Sequence, residues 1–286
     1  MLWLTHRRWI TSKTLLNSNR TNCMTDSSPA LLVERCHDGN DEPSIVLATF
    51  NRAALKHAIS DADMIDAIEQ LIDEINASLT GPQAVKVLVV TGSDGVFSGG
   101  GNIKAMQART GMFAGDERQL SEHYRDYIQR IPRAFARLQV PAIAAVNGAA
   151  IGAGNDLVCM CDMAIAARSA VFAESFIQLG LIPGDGGAWL LPRRVGMQHA
   201  MAMALTGRRF SADEALAMNL VMQVVADDQL LGTALGLARQ MAVHDGRVLR
   251  ESKRLLLEAQ QQTLDQALDA AAQLQGQLHH AESFKL

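Results

Sequence analysis

Two glycine clusters, each set between a β-favouring run and a helix-favouring run, constrain this chain more than anything else in it. The first is VFSGGGNIKAM at residues 96–106 and the second VNGAAIGAGNDL at 146–157. Glycine admits positive φ and lets a backbone approach a ligand with no Cβ in the way. Placed twice at a strand-to-helix junction, it implies turns that present N–H groups at helix N-termini, where negative charge is favoured. The phosphate-binding alternatives fail on spacing: the first cluster lacks the Gly-Lys-Ser/Thr of a P-loop, and its 99–101 run lacks the G-x-G-x-x-G order of a dinucleotide fold. One such turn alone would read as structural. Two can converge on one carbonyl oxygen and hold the negative charge that forms there in an enolate or tetrahedral centre.

The surrounding pattern is α/β. LLVERC (31–36) and SIVLATF (44–50) are β-rich and separated by the turn-forming HDGNDEP; AVKVLVVTG (84–92), PAIAAVNG (141–148) and MAIAA (163–167) read as further strands. A helix is expected from Ser60, with Asp63 three residues on and Met64, Ile65, Ile68, Leu71, Ile72 and Ile75 on its buried face. Residues 116–139 read as helix broken at Pro132. From about Ser211 the β signal fades into helical propensity, with Leu249, Leu255, Leu256, Ala259, Leu264, Leu268 and Ala272 as a buried face or an oligomer surface. The expected division is a flexible extension over 1–25, a core over 26–210 and a helical region over 211–286.

Composition excludes several function classes. A net charge of -4 gives no basic footprint for nucleic acid, and aromatics at 5% supply few stacking platforms. No run reaches the about 18 apolar residues of a membrane span. Cys23, Cys36, Cys159 and Cys161 follow no zinc or disulfide spacing, so no metal site is expected and a reducing, cytoplasmic compartment fits. The first 23 residues carry Arg7, Arg8, Lys13 and Arg20 with no acid, the composition of a transit peptide. Met24, opening MTDSSPALL, makes an upstream start the simpler reading.

VFSGGGNIKAM resembles the F-x-x-G-[AG]-[DN]-[IL] signature of the enoyl-CoA hydratase/isomerase family, the crotonases, and PAIAAVNGAAIGAGNDLVCMCDMAIAARSAVFAESFIQLGLIPGDGG is similar to that family's most recognisable block. The likeness runs from about residue 31 through LTGRRFSADEALAMNLVMQVV and thins beyond it. It implies a spiral of β-β-α units with a C-terminal helical region that trimerises, as a homotrimer or a dimer of trimers. It also implies an enzyme whose substrate is an acyl-CoA thioester, with no separate cofactor, in fatty-acid or aromatic-acid degradation. The carbonyl-polarising N–H donors fall on Gly101 and Ala153, with Gly99, Gly100, Asn102 and Gly152 around them. NRAALKHAIS places Lys56, His57 and Ala58 near the nucleotide end of CoA, and Ile103 and Lys104 beside adenine and pantetheine.

The same resemblance puts the first of the family's two acids on Asp156 and the second on Phe176, which holds no proton. Asp185 lies one residue beyond Gly184, where some ring-rearranging isomerases of the family carry an Asp. Glu174 would face the side of Phe176 in an extended segment and could so reach the site in compensation, although a surface salt bridge is the commoner fate of such a residue. The leading expectation is 2-enoyl-CoA hydration. Double-bond or ring isomerisation through Asp156 or Asp185, and a silent CoA-binding member, stand as alternatives.

Overall fold

A computed structural model describes residues 29–38, 40, 42–81 and 83–281. The proposed N-terminal extension therefore lies wholly outside the described residues. Ten strands alternate with helices: β1 (Leu31–Cys36), β2 (Ile45–Phe50), β3 (Val87–Gly92), β4 (Val96–Ser98), β5 (Ala142–Val146), β6 (Ala149–Ile151), β7 (Met163–Ala167), β8 (Val171–Ala173), β9 (Phe210–Ser211) and β10 (Gln223–Val225). They form a six-stranded sheet in the order β1-β2-β3-β5-β7-β10 and a four-stranded sheet in the order β4-β6-β8-β9. Pairing is parallel except between β1 and β2 and between β8 and β9. Three successive strand pairs, β3/β4, β5/β6 and β7/β8, each give one strand to each sheet. That repeat is the expected β-β-α spiral.

The helices are α1 (Ala62–Ala77), α2 (Ile103–Ala108), α3 (Glu117–Asp126), α4 (Arg130–Arg137), α5 (Ala153–Met160), α6 (Gly187–Thr206), α7 (Ala212–Ala217), α8 (Leu230–Ala242), α9 (Gly246–Glu258) and α10 (Leu264–His279). The central strands are continuously apolar because the larger sheet is covered on both faces. On one face Ile45, Leu47, Val87, Val89, Ile143 and Ile165 pack against Leu230, Ala234, Ala238 and Ala242, the i, i+4 stripe of α8. On the other, Val46, Leu88, Val90 and Ala144 meet the α1 residues Met64, Ile65, Ile68 and Ile72. Residues beyond 210 supply β10 at the edge of the main sheet and α8 of its cover.

Two local expectations are corrected. The N-cap of α1 is Asp61, not Ser60; the Ser60 hydroxyl instead accepts the Asn102 N–H at 2.9 Å and ties α1 to the first glycine turn. The 116–139 helix divides at residues 127–129, and Pro132 sits in the first turn of α4, where its missing N–H costs no intrahelical bond. The C-terminal apolar face is open: Leu256, Leu264 and Leu268 are 72%, 74% and 57% exposed, and within α10 only Leu274 is buried.

Candidate active site

The first glycine turn follows β4, and its backbone donors can be accounted for one by one. Gly99 N–H donates to Lys56 O at 2.7 Å, Gly100 N–H to Ser98 Oγ at 3.1 Å and Asn102 N–H to Ser60 Oγ at 2.9 Å. Gly101 N–H has no acceptor among the described residues. Gly100 adopts φ +83, and a Cβ there would lie 2.3 Å from Ile151 O and 3.1 Å from Ala153 N. Only glycine lets this turn lie against the second one. Asn102 then caps α2, its side chain accepting from Ala105 N–H and donating to both Asp61 oxygens.

The second turn follows β6, parallel to β4. Gly152 N–H is taken by Ala173 O, while Asn155 and Asp156 N–H both return to Gly152 O. Ala153 is the first residue of α5, so its N–H has no partner within the helix. Two unpaired N–H groups, Gly101 and Ala153, thus belong to backbones in direct contact, one at the positive end of a helix. A carbonyl oxygen placed between them would be stabilised as it gains charge.

One turn into α5 lies a buried acid cluster. Asp156 and Glu174 are wholly buried, and Asp185 is 2% exposed. Asn155 Nδ2 donates to Glu174 Oε1 at 2.5 Å. Both Asp156 oxygens, both Asp185 oxygens and Glu174 Oε2 have no donor among the described residues. Glu174 and Asp185 both act electrostatically on the Asp156 carboxyl. Carboxylate oxygens can face one another in a dry site only with protons held between them. Burial pushes Asp156 well above its ordinary range, reinforced by the Glu174 and Asp185 charges. Burial likewise raises Asp185, against the opposing effect of its contact with Asp156. It pushes Glu174 up to about 7, although the neighbouring Asp156 and the Asn155 amide favour its charged form.

These shifts set the sign of a stability change. Between Glu174's ordinary 4.5 and about 7 the folded chain keeps a proton that the unfolded chain has released. Stability is then full below pH 4.5 and lost as pH rises through 7, at up to about 1.4 kcal/mol per pH unit for one proton. Thermal unfolding across this window should show a falling midpoint, flattened in Glu174→Gln. A midpoint that rose with pH equally in both proteins would contradict the cluster.

Close packing holds the acids in place. A Cβ at Gly187 would lie 2.1 Å from Asp156 Oδ1, so the start of α6 must be glycine for that carboxyl to fit. Gln129 Nε2 donates to Gly184 O at 2.8 Å and fixes the turn carrying Asp185. The Tyr124 ring stands against Gly184, its phenol pushed up by burial and by Asp185. Phe176 is partly buried in the core, its ring 3.5 Å from where a Cβ of Gly152 would be. Cys159 and Cys161 are buried, their thiols pushed up to about 12 by burial.

The residues expected at CoA divide in two. Lys56, Ile103 and Lys104 are exposed beside the first glycine turn, and Lys56 Cβ is 3.1 Å from a Cβ position on Gly99. His57 and Ala58 are buried. The His57 ring is engaged on both sides: Nδ1 accepts from Arg52 N–H at 2.9 Å, so Nε2 carries the proton and donates to Ser93 O at 3.0 Å. Burial lowers its pKa, which keeps that neutral tautomer. The His57 side chain therefore supports the turn rather than facing a ligand.

Glu174, weighed from the sequence as an acid that could reach the site against the commoner surface salt bridge, is buried with the acids, where the chain leaves β8 into a 3-10 turn over Ser175–Leu179. The fit of Gly187 against Asp156 had no local signal beyond the glycine pair after Asp185.

Comparison with known proteins bears on the fold and the family. The family model for enoyl-CoA hydratase/isomerase matches residues 40–286. The chain is 35% identical to the Escherichia coli 2,3-dehydroadipyl-CoA hydratase, covering 80% of this chain and 85% of that protein. It is 34% identical to the 1,2-epoxyphenylacetyl-CoA isomerase of the same organism, covering 80% and 84%. The crystal structure of an enoyl-CoA hydratase from Bacillus anthracis superposes with a TM-score of 0.79 at 27% identity, covering 88% of this chain and 92% of that one. With a spiral of β-β-α units and a family match over most of its length, the chain belongs to the enoyl-CoA hydratase/isomerase family and is an acyl-CoA enzyme of that type.

Proposed function

We propose that the chain hydrates 2-enoyl-CoA thioesters, holding the thioester oxygen between the N–H groups of Gly101 and Ala153. The observation that carries this reading is the donor accounting of the first turn: of residues 99, 100, 101 and 102, only Gly101 keeps a free N–H, and its turn lies against Ala153. Asp156 takes a proton from water as the water oxygen bonds to the β-carbon, and the π electrons move onto the thioester oxygen. The enolate collapses by taking a proton at the α-carbon from Asp185, so that one water is added. Proton passage between the adjacent Asp156 and Asp185 restores both. CoA enters as part of the substrate, with no separate cofactor, and exposed Lys56 and Lys104 suit its pyrophosphate.

One observation favours a second reading. Phe176 stands where the resemblance puts a second glutamate, and one relative is named an isomerase. Asp156 alone could take a proton from one carbon and return it to another. Incubation with crotonyl-CoA and with a 3-enoyl-CoA ester in heavy-oxygen water separates the two. Labelled 3-hydroxyacyl-CoA supports hydration; conversion of the 3-enoyl to the 2-enoyl ester without label makes the enzyme an isomerase; inertness toward both overturns both readings.

The open leucines of α9 and α10, Leu256, Leu257, Leu264 and Leu268, support a homotrimer or a dimer of trimers. A single-chain mass by light scattering would remove that reading. Among the described residues no helix is long and apolar enough to cross a membrane. Free thiols at Cys36, Cys159 and Cys161 suit a cytoplasmic location.

A further inference from the structure

Glu174 has no part in the mechanism above, yet it is wholly buried with a single donor, the Asn155 amide. A glutamine there would accept the same bond without placing an ionisable group in the core. Its second oxygen is buried without a donor among the described residues, as are both Asp156 oxygens, and the two carboxyls act on one another's ionisation. Glu174 stands at the N-cap of the Ser175–Leu179 turn, while Phe176, two residues on, lies against Gly152.

We propose that Glu174 is a positioning residue for Asp156: Asn155 clamps one of its oxygens, and the other shares a proton with the Asp156 carboxyl. This rests on the reading of Asp156 as the group that moves protons. The pair holds one proton and one negative charge. With the proton on Glu174, Asp156 is a base whose anion is stabilised by the Glu174 O–H. When Asp156 takes a proton from water or from a substrate carbon, the pair becomes neutral and the negative charge passes to the thioester oxygen. When a proton is returned to substrate, the charge comes back to the pair.

The groups facing Glu174 are few. Asp156 and the Cys159 thiol come from α5, and Asp185 from the turn before α6. Arg194 of α6 donates to the carbonyls of Cys161 and Asp162, so its guanidinium is engaged at the far end of α5. Tyr124 of α3 stands beside Asp185. None of these supplies a cation in contact with the pair, so a shared proton is what relieves the repulsion.

The test is Glu174→Gln, which keeps the volume and the Asn155 contact but holds no transferable proton. Turnover should fall about tenfold or more with KM within about twofold. The acid limb of the kcat profile should move to higher pH, because the amide N–H that then faces Asp156 stabilises its anion less than a carboxyl O–H does. A lowered melting temperature with an unmoved acid limb would leave Glu174 a structural residue and overturn the proposal. A second readout needs neither substrate nor turnover. Infrared difference spectra of the ligand-free protein near neutral pH should show a protonated-carboxyl band removed by either Glu174→Gln or Asp156→Asn. A band removed by the first and untouched by the second would mean the two groups share nothing. Should Glu174→Gln not fold, Asp156→Asn alone decides, by altering that band or leaving it intact. If wild type turns over neither ester, the hydratase/isomerase reading fails while the infrared result still judges the pair.

Discussion

Ala153→Pro is expected to lower turnover on an enoyl-CoA ester by about a hundred- to a thousandfold, the cost of about 3–4 kcal/mol for one lost oxyanion donor. The substitution is informative because of where Ala153 stands. It is the first residue of α5, the helical position where proline is best tolerated, since its N–H has no intrahelical acceptor. The fold should therefore survive, and the deleted atom is the one donor at issue. Binding of a CoA thioester should weaken far less, because most of the contact with CoA lies away from the carbonyl. Circular dichroism and thermal unfolding establish the folded state; steady-state kinetics read the loss. A folded proline variant with wild-type turnover would show that Ala153 N–H carries no charge in the transition state.

Asp156→Asn should cost about a hundred- to ten-thousandfold in kcat, the range for losing a positioned general acid or base. Asparagine fills the same space beside Gly187 but cannot take up and release a proton. The variant should fold at least as well as wild type near neutral pH. It removes one of three ionisable groups from a site that buries them without a contacting cation. Reduced turnover with raised or unchanged stability separates a chemical role from a structural one. Wild-type turnover in Asp156→Asn would remove Asp156 from the reaction and move attention to Asp185.

Much of the scaffold was legible because it follows strict periodicity. The apolar positions of α1 from Met64 to Ile75 are all buried as their spacing requires, and the continuous apolar runs of β2, β3 and β5 are central strands. The two glycine turns were legible as well, because strand, glycine and helix signals are adjacent in sequence. What could not be read were features fixed by distant parts of the chain. Strands β4, β6 and β8 have three residues each and exist by pairing with one another. Alternation placed Glu174 and Phe176 on one side, but the strand ends at Ala173 and a 3-10 turn over Ser175–Leu179 follows. His57 reads as a ligand contact by resemblance, whereas its burial depends on Ser93, 36 residues away. The apolar stripes at Leu256, Leu264 and Leu268 could be read from the sequence, but not what covers them.

The most direct measurement is the infrared carbonyl stretch of a bound CoA thioester labelled with carbon-13 at the thioester carbon. Polarisation between Gly101 N–H and Ala153 N–H should lower that stretch relative to the free ester. Ala153→Pro, saturated with the same ligand, should return it most of the way to the free value. An unshifted carbonyl in the saturated wild-type protein would contradict the assignment of these two glycine turns as an oxyanion hole.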